Sequence, residues 1–471
     1  MLRPVLTLVS GSMAAQAIVF AAQPVLTRLF LPEAFGVLTL VTTTVAVLST
    51  VASGGYRAAV LLPRDDDDRA NLLALTFGVS TASTALAFLG VAAVVGTGLV
   101  DGSAARGLWW IAPGLFLTEA AAAAETWHTG RGRFRAVSWS RVAQSVVAVA
   151  VRLGVGLTVA KASAWSAVGL VGGAVAGLAA GALVSVGWLM VADGGARAAV
   201  AWSRIRALAR RYARFPTFSA PAALLNVLST RVPVFALVAF YGEAVVGQFG
   251  LAYGTLALPL GLVGGAVGQA FFPEASEARH DGRLGALTRT TARGLWSVTA
   301  YPALAAAAAG PTLFAFVFGP EWVEAGVFAQ RIAPWVLLAS VAPPLTAVFD
   351  VLERQRDELT ISVLMFVAQT VVMVAAGRML EAPEAVLAAS LTGFALRAVH
   401  LGWIFHAASV PLAGAFRDAL GALVRAAPFA LAVLATDRLG ASGAVVFAVA
   451  VGAGLAAVGL EARVYRRGTD S

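Results

Sequence analysis

Residues 164–191 read AWSAVGLVGGAVAGLAAGALVSVGWLMV, a run without a single charged side chain. An α-helix rises about 1.5 Å per residue, so this run is long enough to cross a hydrocarbon core about 30 Å thick. Its residues do not alternate between apolar and polar, as the strands of a membrane barrel do. The run therefore predicts a membrane-spanning helix.

The rest of the chain has the same character. Hydrophobic residues make up 59% of the sequence, charged residues only 13%, and the mean hydropathy is +0.82. Soluble proteins carry roughly 25% charged residues. We predict an all-α integral membrane protein with about fourteen spans, at residues 5–27, 36–55, 71–95, 107–126, 137–158, 164–191, 217–240, 245–271, 293–317, 326–349, 359–377, 384–406, 419–436 and 441–461.

Several classes of function are disfavoured by residues that the sequence lacks. It has no cysteine and only four histidines, so we expect neither disulfides nor a metal site. There is no G-x-x-x-x-G-K-[ST] motif, which argues against ATP as the direct energy source. The predicted outside loops are too short for a catalytic domain. We therefore predict a transporter without a bound cofactor, not an enzyme.

Positive charge is distributed unevenly between the predicted loops. Of the 34 Lys and Arg residues, five lie in odd-numbered loops, five lie within spans, and the others lie at the termini and in even-numbered loops. Short cytoplasmic loops are enriched in Lys and Arg. This bias predicts a multi-pass protein of the bacterial cytoplasmic (inner) membrane with both termini cytoplasmic. It explains the net charge of +9 without nucleic-acid binding.

The longest predicted loop is also the most basic. It lies between the sixth and seventh spans and contains six arginines. We predict that it links two six-helix lobes. The predicted organisation is an N-terminal lobe at 1–192, a basic cytoplasmic linker at 193–216, a C-terminal lobe at 217–406, and two additional transmembrane helices with a cytoplasmic tail at 407–471.

Two short segments suggest an internal repeat. Residues 32–36 read PEAFG and residues 242–247 read GEAVVG, and each opens an apolar helix. Their offset of about 211 residues corresponds to six spans, an even number, so the lobes would share one orientation and be related by a pseudo-twofold axis normal to the membrane. The alternative is that G-E-A is merely a common short turn.

Arginines within the predicted spans are the main candidates for a binding site. A charge at this depth costs at least about 2.5–3.5 kcal/mol on insertion scales, and such residues usually face the interior of the bundle or a wet cavity. Arginine also suits phosphate, because its planar fork donates two parallel hydrogen bonds. We predict a cationic, substrate-binding cavity formed by Arg141, Arg152, Arg231 and Arg397.

A structural explanation for these arginines stays open. They would then bond to carbonyl groups or extend to the inner membrane surface. We favour this explanation for Arg331 and Arg57, which lie near span ends. Arg141 and Arg152 are eleven residues apart and so share one helix face, and Arg397 and His400 have i, i+3 spacing.

Other polar residues within spans complete the predicted site. Four of them are side-chain amides: Gln16, Gln23, Asn226 and Gln248. We predict that these amides contact hydroxyl groups of the substrate; the alternative is that they form hydrogen bonds between helices. Glu119 and His400 are candidates for ion coupling. The alternative for Glu119 is a buried ion pair with one of the arginines.

Several stretches together resemble the bacterial polysaccharide-biosynthesis flippases, which export lipid-linked oligosaccharides and belong to the multidrug/oligosaccharidyl-lipid/polysaccharide exporter superfamily. The resemblance covers roughly residues 10–405. It rests on QPVLTRLFLPEAFG (23–36), GYRAAVLLP (55–63), FPTFSAPAALLN (215–226), LPLGLVGGAVGQAFFP (258–273), FGPEWVEAG (318–326) and LERQR (352–356). One position departs from the family pattern, which usually reads Y-E where this chain has Tyr56-Arg57.

The resemblance implies a fold and a cargo. It implies a V-shaped bundle of two six-helix lobes around a central basic cavity, with two extra C-terminal helices. It also implies alternating access that moves an undecaprenyl-diphosphate-linked oligosaccharide from the inner to the outer leaflet, for surface polysaccharide export. Coupling to H⁺ or Na⁺ is implied by the superfamily, and polysaccharide synthesis machinery is an expected partner.

Three competing functions make different predictions. A cation-coupled multidrug exporter of the same superfamily would place acidic residues in the cavity, and the excess of arginine argues against it. A glycan polymerase or ligase would need a large outside loop with catalytic residues. A scaffold for a synthesis complex is not distinguished by the sequence.

Overall fold

The computed structural model describes residues 2–63, 65–98, 100, 102–161, 163–193 and 200–469. The described chain is 89% helical and contains no strand. The first helices are α1 (Leu2–Leu29), α2 (Pro32–Ala52), α3 (Tyr56–Ala59), α4 (Asp66–Gly96), α5 (Gly102–Leu108), α6 (Ile111–Gly130), α7 (Phe134–Thr158), α8 (Ala164–Ala192), α9 (Trp202–Arg211) and α10 (Ala220–Tyr241). A π-helical turn, Phe215–Ser219, precedes α10.

The later helices follow with short connections. They are α11 (Glu243–His280), α12 (Leu284–Phe318), α13 (Val323–Ala339), α14 (Ala342–Leu345), α15 (Ala347–Val351), α16 (Gln355–Met379), α17 (Ala382–Ala407), α18 (Leu412–Arg438) and α19 (Gly443–Thr469). A 3₁₀ turn, Pro320–Trp322, precedes α13. The predicted all-helical class is therefore confirmed.

Long apolar helices lie at each predicted span, although not all of them qualify as candidate spans. Eleven helical segments of the described chain are long and apolar enough to cross a membrane. This establishes a multi-pass membrane protein. The exact number of fourteen spans is not confirmed, because α1, α6 and α11 are absent from these eleven.

Prolines and glycines explain where helix ends depart from the predicted spans. The tenth predicted span, 326–349, is interrupted after Ala339, and the chain continues as the short helices α14 and α15. Pro343 and Pro344 lack the N–H that a continuous helix would need. At the end of α2, Gly54 and Gly55 take φ values of 56° and 73°, which end the helix before the predicted residue 55.

Contacts between Cα atoms divide the chain into two compact units. Unit 1 comprises Met1–Val238 with Gly242–Gly247, and unit 2 comprises Ala239–Tyr241 with Gln248–Ser471. This division falls later in the chain than the predicted linker at 193–216. The four-part organisation read from the sequence stays a prediction.

In unit 1, small residues let α7 and α8 pack closely. Gly173 and Gly177 of α8 face α7, and an added Cβ at Gly177 would lie 2.5 Å from the carbonyl oxygen of Gln144. A larger side chain at either glycine would therefore push the helices apart. Because there is no hydrophobic driving force between helices in lipid, the van der Waals packing that such close contact allows contributes to their association.

The two segments of the predicted repeat touch each other within unit 1. A Cβ added to Gly36 would overlap the carbonyl oxygen of Glu243, and one added to Gly247 would overlap that of Pro32. At an offset of 211 residues, Pro32 corresponds to Glu243 and Gly36 to Gly247. The contact is therefore reciprocal, which is the pattern that a twofold relation between two segments produces.

The helix α9 is held against the start of α4 in unit 1. Arg204 forms ion pairs with three carboxylates of the acidic run, those of Asp65, Asp67 and Asp68. The side chain of Leu208 is buried with Ala59, Val60 and Leu72. The basic linker therefore contacts the polar segment that joins α2 to α4.

In unit 2, the last two helices are tied to α12. Arg425 of α18 forms two hydrogen bonds with Glu461 of α19, of 2.7 and 3.1 Å, and Ser297 of α12 donates to the same carboxylate. Arg289 of α12 pairs with Asp418 of α18 at 2.6 Å. These polar contacts therefore hold α18 and α19 against α12.

Candidate functional site

Glu119 is paired with an arginine from a different part of unit 1. Its carboxylate lies 3.3 Å from Nη1 of Arg57 and accepts a hydrogen bond of 3.2 Å from Ser80. The Glu119 side chain is 1% exposed, whereas that of Arg57 is 34% exposed. The ion pair named as the alternative for Glu119 is present, with Arg57 as the partner.

Arg141 lies in a second polar group of unit 1, between α1, α6 and α7. Its guanidinium donates to Ser12 Oγ at 2.6 Å and to Glu125 Oε2 at 3.4 Å. Ser140 donates to the other oxygen of Glu125 at 3.1 Å. Arg141 therefore has an acidic partner, and its positive charge is partly balanced.

Arg152 has no acidic partner in the described part of the chain. Its Nε donates a hydrogen bond of 3.2 Å to the carbonyl oxygen of Leu170 in α8, which is a contact of the kind named in the structural explanation for these arginines. The methylene stem packs on Gly173, where an added Cβ would lie 2.5 Å from Arg152 Cγ. Although Arg141 and Arg152 are three turns apart on α7, the structure does not bring their guanidinium groups to a common partner.

Arg231 of α10 forms neither an ion pair nor a hydrogen bond within the described residues, and it is half-buried. Asn226, on the same helix, is exposed. On α1, Gln16 is exposed and Gln23 is half-buried. These three amides have no hydrogen-bond partner in the part of the chain that the structure describes. They are available to a ligand, and their role in binding stays a prediction.

Gln248 has both ends of its amide occupied. Its Nε2 donates to the carbonyl oxygen of Glu321 at 2.7 Å, and its Oε1 accepts from the N–H of Ala325 at 2.9 Å. The residue is 5% exposed. Its amide therefore joins α11 to the start of α13. This geometry provides the interhelical role named as the alternative, and substrate contact stays a prediction.

Arg397 and His400 belong to a chain of three polar residues in unit 2. Arg397 Nη1 lies 3.3 Å from His400 Nδ1, and His400 Nε2 lies 3.0 Å from Glu358 Oε2 of α16. His400 is 1% exposed, and its ring stacks on Phe349 at 5.9 Å. The Nε of Arg397 is buried without a hydrogen-bond partner among the described residues.

Arg331 pairs with Glu384 at 3.3 Å, a carboxylate partner that the structural explanation favoured for it did not name. Sequence reasoning missed Glu358, Ser12 and Ser80 as partners of the predicted residues. Glu358 carries a weak signal, because it is an acidic residue in the first turn of a helix, but its distance of 42 positions from His400 hides the contact. Serines within apolar helices carry no comparable signal.

The electrostatic balance of these groups differs along the chain. Glu119 and Glu125 each have an arginine partner, whereas Arg152 and Arg231 have no carboxylate partner within the described segments. Groups of three or more metal-ligating side chains are not found in the described residues. Arg152 and Arg231 therefore carry positive charge that no carboxylate of the described segments balances.

Comparison with known families and structures gives one family and one fold. The sequence profile described as polysaccharide biosynthesis protein matches residues 25–327. No curated protein matches the sequence. Among solved structures, the lipid II flippase MurJ in an inward closed conformation has a TM-score of 0.73 at 9% identity, with 100% of both chains covered.

Two further structures have the same fold over a shorter length. A MOP superfamily transporter from Pyrococcus furiosus, described as having a binding pocket of reverse polarity, gives a TM-score of 0.58 at 12% identity. An outward-facing MATE family multidrug resistance transporter gives 0.55 at 14% identity. Each comparison covers 86% of this chain and 95% of the other chain. At these identities the likeness concerns the fold.

Proposed function

This chain belongs to the polysaccharide biosynthesis protein family, and from that membership we propose that it is a lipid-linked oligosaccharide flippase. The proposed cargo is a polyprenyl-diphosphate-linked oligosaccharide. Alternating access moves it from the inner to the outer leaflet of the bacterial cytoplasmic membrane, for export of a surface polysaccharide. In this proposal both termini are cytoplasmic, because the bias of Lys and Arg between loops favours that orientation.

The observation that carries this proposal is the lack of a carboxylate partner at Arg152 and Arg231. Both lie in candidate membrane spans, residues 134–158 and 215–241. Neither forms an ion pair with any described residue. A charge at such depth is costly, and Arg152 offsets part of this cost through the carbonyl group of Leu170. A ligand is then expected to supply the negative charge that neither arginine has beside it.

A diphosphate supplies that counter-charge. Its oxygens accept the parallel hydrogen bonds that a guanidinium donates. The sugars need hydrogen-bonding groups, which the exposed amides of Gln16 and Asn226 offer. The polyprenyl tail can stay among the lipid acyl chains throughout. The chemistry of the three parts of the cargo therefore agrees with the residues present.

The multidrug exporter is less well supported. Binding a cationic drug would require a carboxylate free to pair with it. In unit 1, Glu119 is already bonded to Arg57 and Ser80, and Glu125 to Arg141 and Ser140. Charge neutralisation of these acids favours an anionic cargo.

The proposal is tested by transport in a strain from which the chromosomal gene has been deleted. R152Q and R231Q remove a charge and keep a polar side chain, whereas R152K and R231K keep the charge and lose the planar fork. We expect the Gln variants to reduce surface glycan at least tenfold, with the Lys variants intermediate. Membrane levels of each variant are measured by immunoblotting.

A matched control is R438Q, because Arg438 is exposed at the end of α18. It should leave surface glycan unchanged. Wild-type glycan levels in both R152Q and R231Q, at equal membrane levels, would contradict the proposed role of these arginines. Efflux of a monovalent cationic dye by wild type, without glycan transport, would favour the multidrug exporter.

A further inference from the structure

The tautomer of His400 follows from its neighbours. A guanidinium carries only N–H donors, so the Nδ1 atom that faces Arg397 at 3.3 Å must accept. A neutral imidazole that accepts at Nδ1 carries its hydrogen on Nε2. That Nε2–H points at the Glu358 carboxylate, 3.0 Å away. Donation therefore runs in one direction, from Arg397 to His400 to Glu358.

A second proton on His400 is incompatible with this arrangement. The proton would bond to the Nδ1 lone pair, which is the lone pair that accepts from Arg397. The imidazolium would then present a donor to a donor and a positive charge to a positive charge. Protonation of His400 and its hydrogen bond to Arg397 therefore exclude each other.

We propose that Arg397, His400 and Glu358 couple proton uptake to phosphate binding: a proton taken up at His400 Nδ1 releases the Arg397 guanidinium, which then binds a phosphate of the cargo. The step forms one N–H bond with a proton taken from hydronium, which leaves a water molecule, and breaks one hydrogen bond. The inference rests on the proposed function and assigns a role to Glu358, which lies outside the predicted site.

Glu358 acts as a positioning residue. By accepting from Nε2–H it fixes the tautomer and the ring orientation, as carboxylates do for histidines in other sites. After proton uptake it also stabilises the imidazolium. Its side chain is 35% exposed, against 1% for His400, so it links the buried ring to the exterior of unit 2. Stacking on Phe349 holds the ring plane in place.

Among the charged groups around His400, Arg397 is the cation that protonation of the ring would displace. Asp350 of α15 lies near Glu358, and both Glu358 and Tyr253 of α11 lie near Arg397. On α13, Arg331 is paired with Glu384, which lies sixteen positions before His400 on α17. On α18, Asp418 is paired with Arg289. The short helix α14 contains no titratable residue.

The buried Nε of Arg397, which has no partner in the described chain, is a further donor that a phosphate would satisfy.

The first measurement is the tautomer. The chain has only four histidines, so ¹⁵N-histidine labelling gives few signals, and H400N assigns the one of interest. At pH 8, without ligand, we expect the neutral Nε2–H form in wild type and a mixture of tautomers in E358Q. E358D should restore the preference in part. A neutral Nδ1–H form in wild type would overturn the inference.

The second measurement is proton uptake on binding farnesyl diphosphate, a soluble polyprenyl diphosphate. Calorimetry of the full-length protein in buffers of different ionisation enthalpy gives the number of protons taken up. Protons that the ligand itself exchanges are common to all variants. We expect wild type to take up about one proton more than H400N. Uptake of one proton on binding means that the affinity of wild type for farnesyl diphosphate falls about tenfold more per pH unit than that of H400N as the pH rises.

H406N is the matched control, because His406 lies on the same helix and is exposed. It should take up as many protons as wild type. Equal uptake in wild type and H400N, with binding intact, contradicts the coupling and leaves the flippase proposal standing. Absence of binding by wild type at every pH contradicts both.

Discussion

At the scale of single residues, ion pairs join side chains that are remote in sequence. Arg57 and Glu119 are 62 positions apart, and Arg133 and Asp193 are 60 apart. A buried carboxylate needs such a partner, because burial of an isolated charge costs far more than folding provides. The pairs of unit 1 therefore fix the relative positions of α3, α4 and α6, and of α7 and α8.

The Arg57–Glu119 pair gives a prediction on stability. R57Q leaves the 1% exposed carboxylate of Glu119 without its cation, and loss of a partner to a buried group costs about 1–3 kcal/mol. R57E should lower the melting temperature of the purified protein further, by repulsion. The double variant R57E/E119R should recover much of the loss. R106Q, at an exposed arginine, should have no effect.

A failure of the double variant to exceed R57E in melting temperature would contradict the pairing. The position is informative because the resembling family usually has Glu where this chain has Arg57. A carboxylate there is expected to be tolerated only when residue 119 no longer carries a negative charge.

Asp193 gives a prediction on pH. It accepts from Arg133, Arg131 and Trp127 at the end of α8. Burial alone would raise the pKa of Asp193, but hydrogen bonds from Arg133 and Trp127, with the charges of both arginines, lower it below the ordinary value of 3.8. A lowered pKa in the folded state stabilises the fold above the ordinary value, and this contribution is lost as pH falls through the lowered pKa.

We therefore expect the melting temperature of D193N to lie below that of wild type at pH 7 by a margin that stays constant down to about pH 5. Below the ordinary pKa of 3.8 the margin should shrink. Melting curves of both proteins between pH 3 and pH 7 check this. A margin that grows as the pH falls would contradict the lowered pKa.

At the element scale, the helices are positioned by places where backbones nearly touch and by amides that join them. Gly36 and Gly247 permit the reciprocal contact of the two similar segments, and Gly173 permits the packing of Arg152 on α8. Gln248 connects α11 to α13 through two backbone groups. These contacts require a particular residue and not merely an apolar one.

Gly36 gives a matched pair of substitutions. G36A places a methyl group on the carbonyl oxygen of Glu243, whereas nothing lies within 4 Å of an added Cβ at Gly78 in α4. Overpacking of this kind costs about 1–3 kcal/mol or more. We expect G36A to lower the melting temperature and G78A to leave it unchanged or raise it. Equal melting temperatures would contradict the close contact.

Substitutions at Gln248 and Asn226 can be compared to distinguish an amide that stabilises the fold from one that is exposed and available for binding. Q248L leaves the carbonyl of Glu321 and the N–H of Ala325 without their partner, at a cost of about 1–3 kcal/mol. N226L removes an exposed amide and should change stability by less than about 0.5 kcal/mol. Thermal melting distinguishes them. An unchanged melting temperature for Q248L would show that its amide is not needed for folding.

At the scale of the whole molecule, charge is arranged by side of the membrane. Arginines concentrate in loops predicted to be cytoplasmic, and the only lysine, Lys161, lies in a loop predicted to face outward. Apolar side chains such as Leu183 and Leu455 are 75% and 72% exposed, as expected for surfaces that contact lipid. The two distributions together describe a chain that crosses the bilayer many times.

The lone lysine permits a direct test of orientation. A membrane-impermeant N-hydroxysuccinimide ester should label Lys161 in intact spheroplasts, because the predicted topology places this side chain outside. The K161R variant should lose that label. Labelling at Lys161 that appears only after the membrane is permeabilised would reverse the assigned orientation and contradict the cytoplasmic placement of the termini.

Much of the fold was accessible from the sequence for a local reason. Hydropathy and helix formation depend on neighbouring residues, so apolar runs located every long helix, and prolines such as Pro343 account for the interrupted one. The spacing of Arg397 and His400 likewise predicted their proximity, because i, i+3 residues adjoin on a helix. The charge bias between loops is also a property that can be counted without a structure.

The polar partners were decided by tertiary structure alone. Glu119 bonds to Arg57, which lies beyond a helix break, and His400 bonds to Glu358 on another helix. Which side chains meet depends on how helices rotate and pack, and the Ala- and Gly-rich faces of this chain permit many packings. The sequence therefore determined a multi-pass helical membrane protein with several arginines within its spans. Only the packed structure determined which of those arginines are neutralised and which, such as Arg152 and Arg231, have no acidic partner in the described chain.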